Sequence, residues 1–396
     1  MNKAIYIYAA AALTLASCSS DEVIHQAERA NTISFRTHVA VSTRGALLDQ
    51  TGLQTNGKLH VTTFKTTAAG GDRLYAETEY GYNSSESVWV SDPPQKWEGN
   101  TELDFFLAHP ALSSWQMGFA GLTKGSKMVT LTVDQEISAQ QDYVAAKVRA
   151  TKNGTASVSV DLQHMLSAIE VWAKSDNPTL VYQMQGVRLC GVNKRIDIDL
   201  DKAVDADGFI THHEDWRDYE TETTPGGGHL LINGDQAKVG LLMNTSTPTD
   251  DYAILPPQQA GQNRKWDGVA TAAPGEYVGS YIAVKLSVRS KDGTQIYPAG
   301  GGYGWVAVPV EFEWKSGMKY RYTLNFSKGA GCVDPTDPGT DGYVAGTDPD
   351  KGKPIFGGPV TFEVEVTPWD PVTFNVSVGD WTDASTAPEL DLKKQK

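Results

Sequence analysis

The sequence predicts an all-β protein built of stacked antiparallel sandwiches, and three observations carry that reading. Beyond residue 30 the dominant hydropathy period is two, with Thr, Val, Tyr, Phe and Trp recurring in short runs. Gly, Pro, Asn and Asp stand between the runs, and 38 Gly and 19 Pro in 396 residues are enough to turn the chain many times. No stretch keeps a 3.6-residue apolar period for more than two turns, so no long amphipathic helix is expected.

In chain order, the first element is an export signal over residues 1–17. Lys3 supplies the positive start, and Ala4 to Ala16 is apolar but too short to cross a bilayer. The stretch ends at Leu15-Ala16-Ser17-Cys18, which resembles the lipobox of bacterial lipoproteins. That resemblance implies cleavage before Cys18 and an acyl anchor on it, which would hold the protein in the outer membrane as a surface lipoprotein. The plainer alternative is an ordinary signal peptide with a chance cysteine. Ser19-Ser20-Asp21-Glu22 is similar to the acidic surface-export signals of some Gram-negative lipoproteins. Residues 18–31 read as a flexible lipidated linker. No later segment is apolar for 18 residues, so no membrane-spanning helix is expected.

Candidate strands follow at Leu59–Thr66, Val88–Trp97, Glu102–His109, Met128–Val133, Ser157–Ala173, Tyr182–Leu189, Tyr281–Val288, Trp305–Glu313 and Lys319–Ser327, with short helical turns near Asp134–Gln141. Ser157–Ala173 is the longest. Val158, Val160 and Leu162 alternate there, and Met165, Ile169 and Val171 resume after an irregularity. A run of that length can serve two sandwiches, so the chain divides there into an N-terminal domain over 32–165 and a C-terminal domain over 166–382. Asp334–Gly358, rich in Pro, Gly and Asp, reads as the loop before a last strand-bearing segment at 359–381. A polar tail covers 383–396.

The two ends carry the functional signal. Ile33, Phe35, Val39 and Val41 share one strand face, with Ser34, Arg36 and His38 on the other. Val360, Phe362, Val364 and Val366 alternate with Thr361, Glu363, Glu365 and Thr367. After Pro368-Trp369-Asp370-Pro371, Val372, Phe374, Val376 and Val378 alternate again ahead of Trp381. The three strands present similar apolar faces, so each could fill a similar slot in a half-buried sheet. Straight after the first comes Ser42-Thr43-Arg44-Gly45, a polar, Arg-bearing segment suited to an exposed loop, where proteases cut. Arg29 lies in another polar stretch, but ahead of the strand, where a cut would release nothing useful.

These residues resemble the fimbrillins, the subunits of type V pili. Thr32-Ile33-Ser34-Phe35 leading to Thr43-Arg44 is similar to the family's first strand and processing arginine. Leu103-Asp104-Phe105-Phe106-Leu107-Ala108-His109-Pro110, Gln141-Asp142-Tyr143-Val144-Ala145, Val160–Val171 with His164 inside it, and Ser316–Leu324 resemble further family segments in the same order. Val360 to Trp381 resembles the family's C-terminal segment. The resemblance implies two tandem transthyretin-like antiparallel β-sandwich domains and a lipoprotein precursor that a trypsin-like protease cuts after Arg44. It further implies that the first strand is lost and that a C-terminal strand of another pilus subunit fills the groove. Asp383–Lys396 departs from the pattern by extending past the last Trp. That leaves open an accessory or tip subunit, or a monomeric surface lipoprotein, that grips a glycan or a host receptor.

Composition narrows the alternatives. A net charge of −14 and a pI near 5.0 exclude a nucleic-acid binder working through bulk charge. Three cysteines are too few for a disulfide framework; Cys190 and Cys332 could pair or stand as two isolated thiols. His212-His213-Glu214-Asp215 is the densest cluster of metal-ligating types. Adjacent strand residues point to opposite faces, however, and a solvated loop is the plainer reading. Asp334, Asp337, Asp341, Asp348 and Asp350 could hold Ca²⁺ but lack the spacing of a known loop, which leaves an acidic linker. Gly226–Gly228 and Gly300–Gly304 read as turns rather than phosphate cradles. Trp89, Trp97 and Trp115 could stack on sugar rings or fill cores. Neither a nucleophile elbow nor a catalytic cysteine signature is present, so the chain is read as a non-enzyme with no cofactor and no metal.

Overall fold

The structure, a computed structural model, describes residues 31–39, 48–66, 72–110, 128–134, 139–153, 157–199, 214–219, 230–232, 237–239, 252–258, 265–266, 279–335 and 352–368. The first part of the chain carries β1 (Phe35–Val39), α1 (Gln50–Asn56), β2 (Leu59–Thr66), β3 (Asp72–Asn83), β4 (Val88–Ser91), β5 (Leu103–His109), β6 (Met128–Thr132), β7 (Val144–Ala150) and β8 (Val158–His164). Then come β9 (Ser167–Lys174), β10 (Leu180–Cys190), β11 (Val192–Asp199), β12 (Glu214–Tyr219), β13 (Leu230–Ile232), β14 (Ala237–Val239) and β15 (Ala253–Leu255). The last are β16 (Tyr281–Ser290), β17 (Gln295–Tyr297), β18 (Gly304–Pro309), β19 (Met318–Asn325), β20 (Cys332–Val333) and β21 (Thr361–Pro368). The all-β expectation holds.

Two details differ from a pair of antiparallel sandwiches. Seven strands of the first part close into a ring in the order β1-β4-β3-β2-β5-β7-β8. The ring closes because β1 lies parallel to β8 while also touching β4. A second parallel pair, β9 with β19, stands in the other half. There, a sheet ordered β14-β9-β19-β21, with β15 on β9, faces one ordered β13-β10-β16-β18-β20, with β17 on β16.

The alternation of β5 shows how the halves join. Leu103, Phe105 and Leu107 point into the barrel, whereas Phe106 and Ala108 point outward into the second core. Phe64 of β2 and Ala145 of β7 do the same, so the barrel wall is apolar on both faces where it meets the second unit. The long run at Ser157–Ala173 is two strands rather than one. Val160 and Leu162 line the barrel, the chain changes sheet at Met165-Leu166, and Ile169, Val171 and Ala173 enter the second core. An irregularity between Met184 and Gly186 in β10 shifts the inward set in the same way, from Tyr182 and Met184 to Val187 and Leu189.

Helix α1 was not legible from the periodicity. It is held by its ends: Asp49 Oδ1 accepts from Gly52 N at 2.6 Å, and Gly57 N donates to Leu53 O at 2.8 Å. Gly57 also sits so close to Leu53 and His109 that a side chain would not fit. Among the described residues no helix is long and apolar enough to cross a membrane.

Candidate functional site

The first strand fills a slot between β4 and β8. On the β8 side, β1 is in register from Phe35 opposite Val158 to Val39 opposite Leu162. On the β4 side the ladder is brief. Ile33 N donates to Gln95 O at 2.8 Å, Phe35 pairs with Trp89, and beyond that point a side chain takes over. Val39 N donates to Gln50 Oε1 of α1 at 2.8 Å. The strand is therefore held along its full length by one neighbour only.

Its inward side chains make the core of the barrel. Ile33, Phe35 and Val39 are buried, and the Phe35 ring meets Tyr80 edge-on at 5.0 Å and Phe105 at 5.2 Å. Arg36 and His38 face solvent, as the alternation predicts. One inward residue escaped the sequence reading: Thr37, buried between Phe35 and Val39, accepts from Trp89 Nε1 at 2.8 Å. Its polar type hid it, although its position in the alternation pointed inward.

The segment that follows the slot is also tied down. Asp142 Oδ2 accepts from Leu48 N at 3.0 Å and from His164 Nδ1 at 2.8 Å. His164 is thus a buried structural partner at the end of β8.

At the other end of the chain, β21 is an edge strand. It pairs antiparallel with β19 from Met318 opposite Pro368 to Asn325 opposite Thr361, and its far side has no strand partner among the described residues. One face carries Glu363 and Glu365, which reach Lys174 at 3.3 Å and Arg321 at 3.0 Å. On the other face Val360 is buried and Phe362 half-buried against the second core, but Val364 and Val366 are 41% and 47% exposed. The expected apolar face therefore exists and is covered over only half its length.

The remaining candidates are structural or lie elsewhere. Trp89 and Trp97 are buried in the barrel and cannot stack on a sugar; Trp115 lies outside the described residues. Asp334 is no calcium ligand, because it is fully buried with Arg188 Nη2 at 2.8 Å and Tyr281 Oη at 3.1 Å. Burial works against the Arg188 charge, but the Asp334 carboxylate more than offsets it and holds the guanidinium above its ordinary range. Cys190 and Cys332 are free: β16 and β18 stand between their strands, a separation of roughly 14 Å at about 4.8 Å per strand, too far for a disulfide. Glu214 and Asp215 open strand β12 rather than a loop, while His212 and His213 lie outside the described residues. Gly301 and Gly302 have φ of +83° and +74°, as a glycine turn requires. No cluster of three metal-ligating side chains occurs among the described residues. Cys18, Arg44, Val41, Val372, Phe374, Val376 and Val378 also lie outside them.

The sequence profile of the fimbrillin-like family matches residues 43–369. The chain belongs to the fimbrillin-like family. The fimbrillin-like match begins between β1 and α1 and ends one residue past β21, so it leaves out β1 and takes in β21. No curated protein matches this fimbrillin-like sequence. Among solved structures, a fimbrial protein from Bacteroides vulgatus is 13% identical, with 86% of this chain and 99% of that chain covered and a TM-score of 0.49. A fimbrial assembly protein from Parabacteroides distasonis is 10% identical, with 75% and 92% covered and a TM-score of 0.38.

Proposed function

We propose that this fimbrillin-like protein is a non-enzymatic structural subunit of a cell-surface type V pilus, polymerised by strand exchange and supporting adhesion. The precursor is anchored in the outer membrane through acylated Cys18. A trypsin-like protease cuts after Arg44, β1 leaves, and a C-terminal strand from Val360–Val378 of another subunit enters the slot. The observation that carries this is the complementarity of the two ends. β1 occupies a core slot with a full ladder on one side only, while β21 leaves two valines of a matching face uncovered.

The physics supports the exchange. Losing β1 exposes unpaired backbone on β8 and an aromatic trough, and an incoming strand restores both. Burying three apolar side chains such as Ile33, Phe35 and Val39 contributes roughly 5–9 kcal/mol gross, partly offset by ordering the incoming tail. Such a head-to-tail contact does not close on itself and so generates a filament. A second reading, an accessory or tip subunit that binds a glycan or host protein, is favoured by one observation: β21 is paired along its whole length within its own sheet.

The test is limited trypsin digestion of the unlipidated chain. Loss of β1 followed by detergent-resistant, concentration-dependent polymers is expected, and Arg44→Ala should abolish both. A chain that is cut at Arg44, releases β1 and stays monomeric would overturn the stalk role.

A further inference from the structure

The slot that β1 fills is not apolar throughout. Its inward side chains run Ile33, Phe35, Thr37, Val39, and Thr37 is only 6% exposed. Trp89 Nε1 donates to the Thr37 hydroxyl at 2.8 Å, and the Trp89 side chain is completely buried. An indole N–H can only donate. Trp89 belongs to β4, which stays when β1 leaves, so the donor remains in the slot and its acceptor departs. Gln50 Nε2 donates to the same Thr37 hydroxyl at 3.5 Å. Its Oε1 is engaged by the backbone N–H at Val39, and any strand occupying the slot presents that N–H again.

Resting on the strand-exchange reading above, we infer that the slot selects a strand of a different chain that places a hydroxyl or other hydrogen-bond acceptor at the Thr37 position. The selected pattern is apolar-x-aromatic-x-acceptor-x-apolar. The two alternating segments near the protein's C-terminus match it at every inward position but that one. Ile33-Ser34-Phe35-Arg36-Thr37-His38-Val39 aligns with Val360-Thr361-Phe362-Glu363-Val364-Glu365-Val366 and with Val372-Thr373-Phe374-Asn375-Val376-Ser377-Val378. Val364 or Val376 stands where Thr37 does, and neither carries an oxygen. Reversing the strand does not help, because every residue of both apolar faces is Val or Phe. Slipping by one residue would turn the polar face inward instead. A second copy of this chain is thus the weaker occupant: it fills the slot at the apolar positions, but its valine would shut water out from the Trp89 N–H and offer nothing in return.

The experiment uses the full chain with a specific protease site in place of residues 42–46. After cutting, labelled peptides of residues 32–40 compete for the slot in native, Thr37→Ser and Thr37→Val forms, beside peptide 371–379 and its Val376→Thr form. The Ser peptide should match the native one closely, and Thr37→Val should bind about tenfold more weakly. Val376→Thr should strengthen the C-terminal peptide by a similar factor. The Trp89→Phe chain should lose the preference for Thr over Val. Equal binding of the Thr37 and Thr37→Val peptides would overturn the selection while leaving strand exchange standing. Failure of every peptide to enter the cut protein would overturn strand exchange itself, and the selection with it.

Discussion

Phe35 is the side chain on which the first strand turns. Its ring has no exposed surface and sits edge-on to two aromatic rings, so truncation leaves a cavity that neighbouring strands cannot collapse into. Phe35→Ala should lower the stability of the uncut chain by about 3–5 kcal/mol in urea unfolding, and the loss should vanish once β1 has been cut away. Elsewhere burial speaks through protons. It pushes the Cys190 thiol up to about 12, chiefly by desolvation, and the Tyr182 hydroxyl to about 12 for the same reason. The folded chain keeps these protons while an unfolded thiol releases its own near pH ~8.5. Stability should therefore be intact below that pH and fall steadily as pH rises toward 12. Urea midpoints at pH 7, 9 and 10.5 measure it, and Cys190→Ala should flatten the first part of the decline. The same burial should leave Cys190 unreactive to thiol reagents at pH 8 until the chain is unfolded.

At the scale of elements, β1 and β21 are opposites. β1 is short but buried in a closed ring, whereas β21 has eight ladder positions and, among the described residues, an open edge. Open edges and uncovered valines are a hazard that folded proteins usually blunt, so their survival here fits a strand kept for a partner. Val364→Ser with Val366→Ser should shift the unfolding midpoint of the monomer little, within about 0.5 kcal/mol per site, because both are substantially exposed. If β21 is the donor, Val366→Ser alone should suppress polymer formation after cutting, as read by sedimentation, whereas Val364→Ser, which puts a hydroxyl where Thr37 stands, should not; if residues 372–378 are the donor, Phe374→Asp should suppress it instead. On the other side of the slot, Asp142 and His164 fasten Leu48 just beyond the proposed cut. The body of the barrel then keeps its α1 corner when the strand ahead of it is released.

Across the whole molecule, much was readable before any coordinates. Leu59–Thr66 is the strand its alternation predicts, residue for residue, and Leu103–His109 begins one residue later than expected. β3 and β7 were missed because Glu77, Glu79, Ala145 and Ala146 are poor strand formers in isolation, and only cross-strand packing recruits them. Thr37 was missed because a hydroxyl reads as surface until Trp89 is placed beside it. The order of the residues was sufficient for the β class, for the inward set Ile33, Phe35 and Val39, and for the likeness of the first strand to the alternating segments Val360–Val366 and Val372–Val378, since alternation is a local property of the pleat. The closing of the ring by a parallel β1, the change of sheet at Met165-Leu166, the exposure of Val364 and Val366 and the burial of Asp334 on Arg188 were decided only in three dimensions. Each depends on which distant strand arrives alongside, and a period of two says which face a residue occupies but not what covers it.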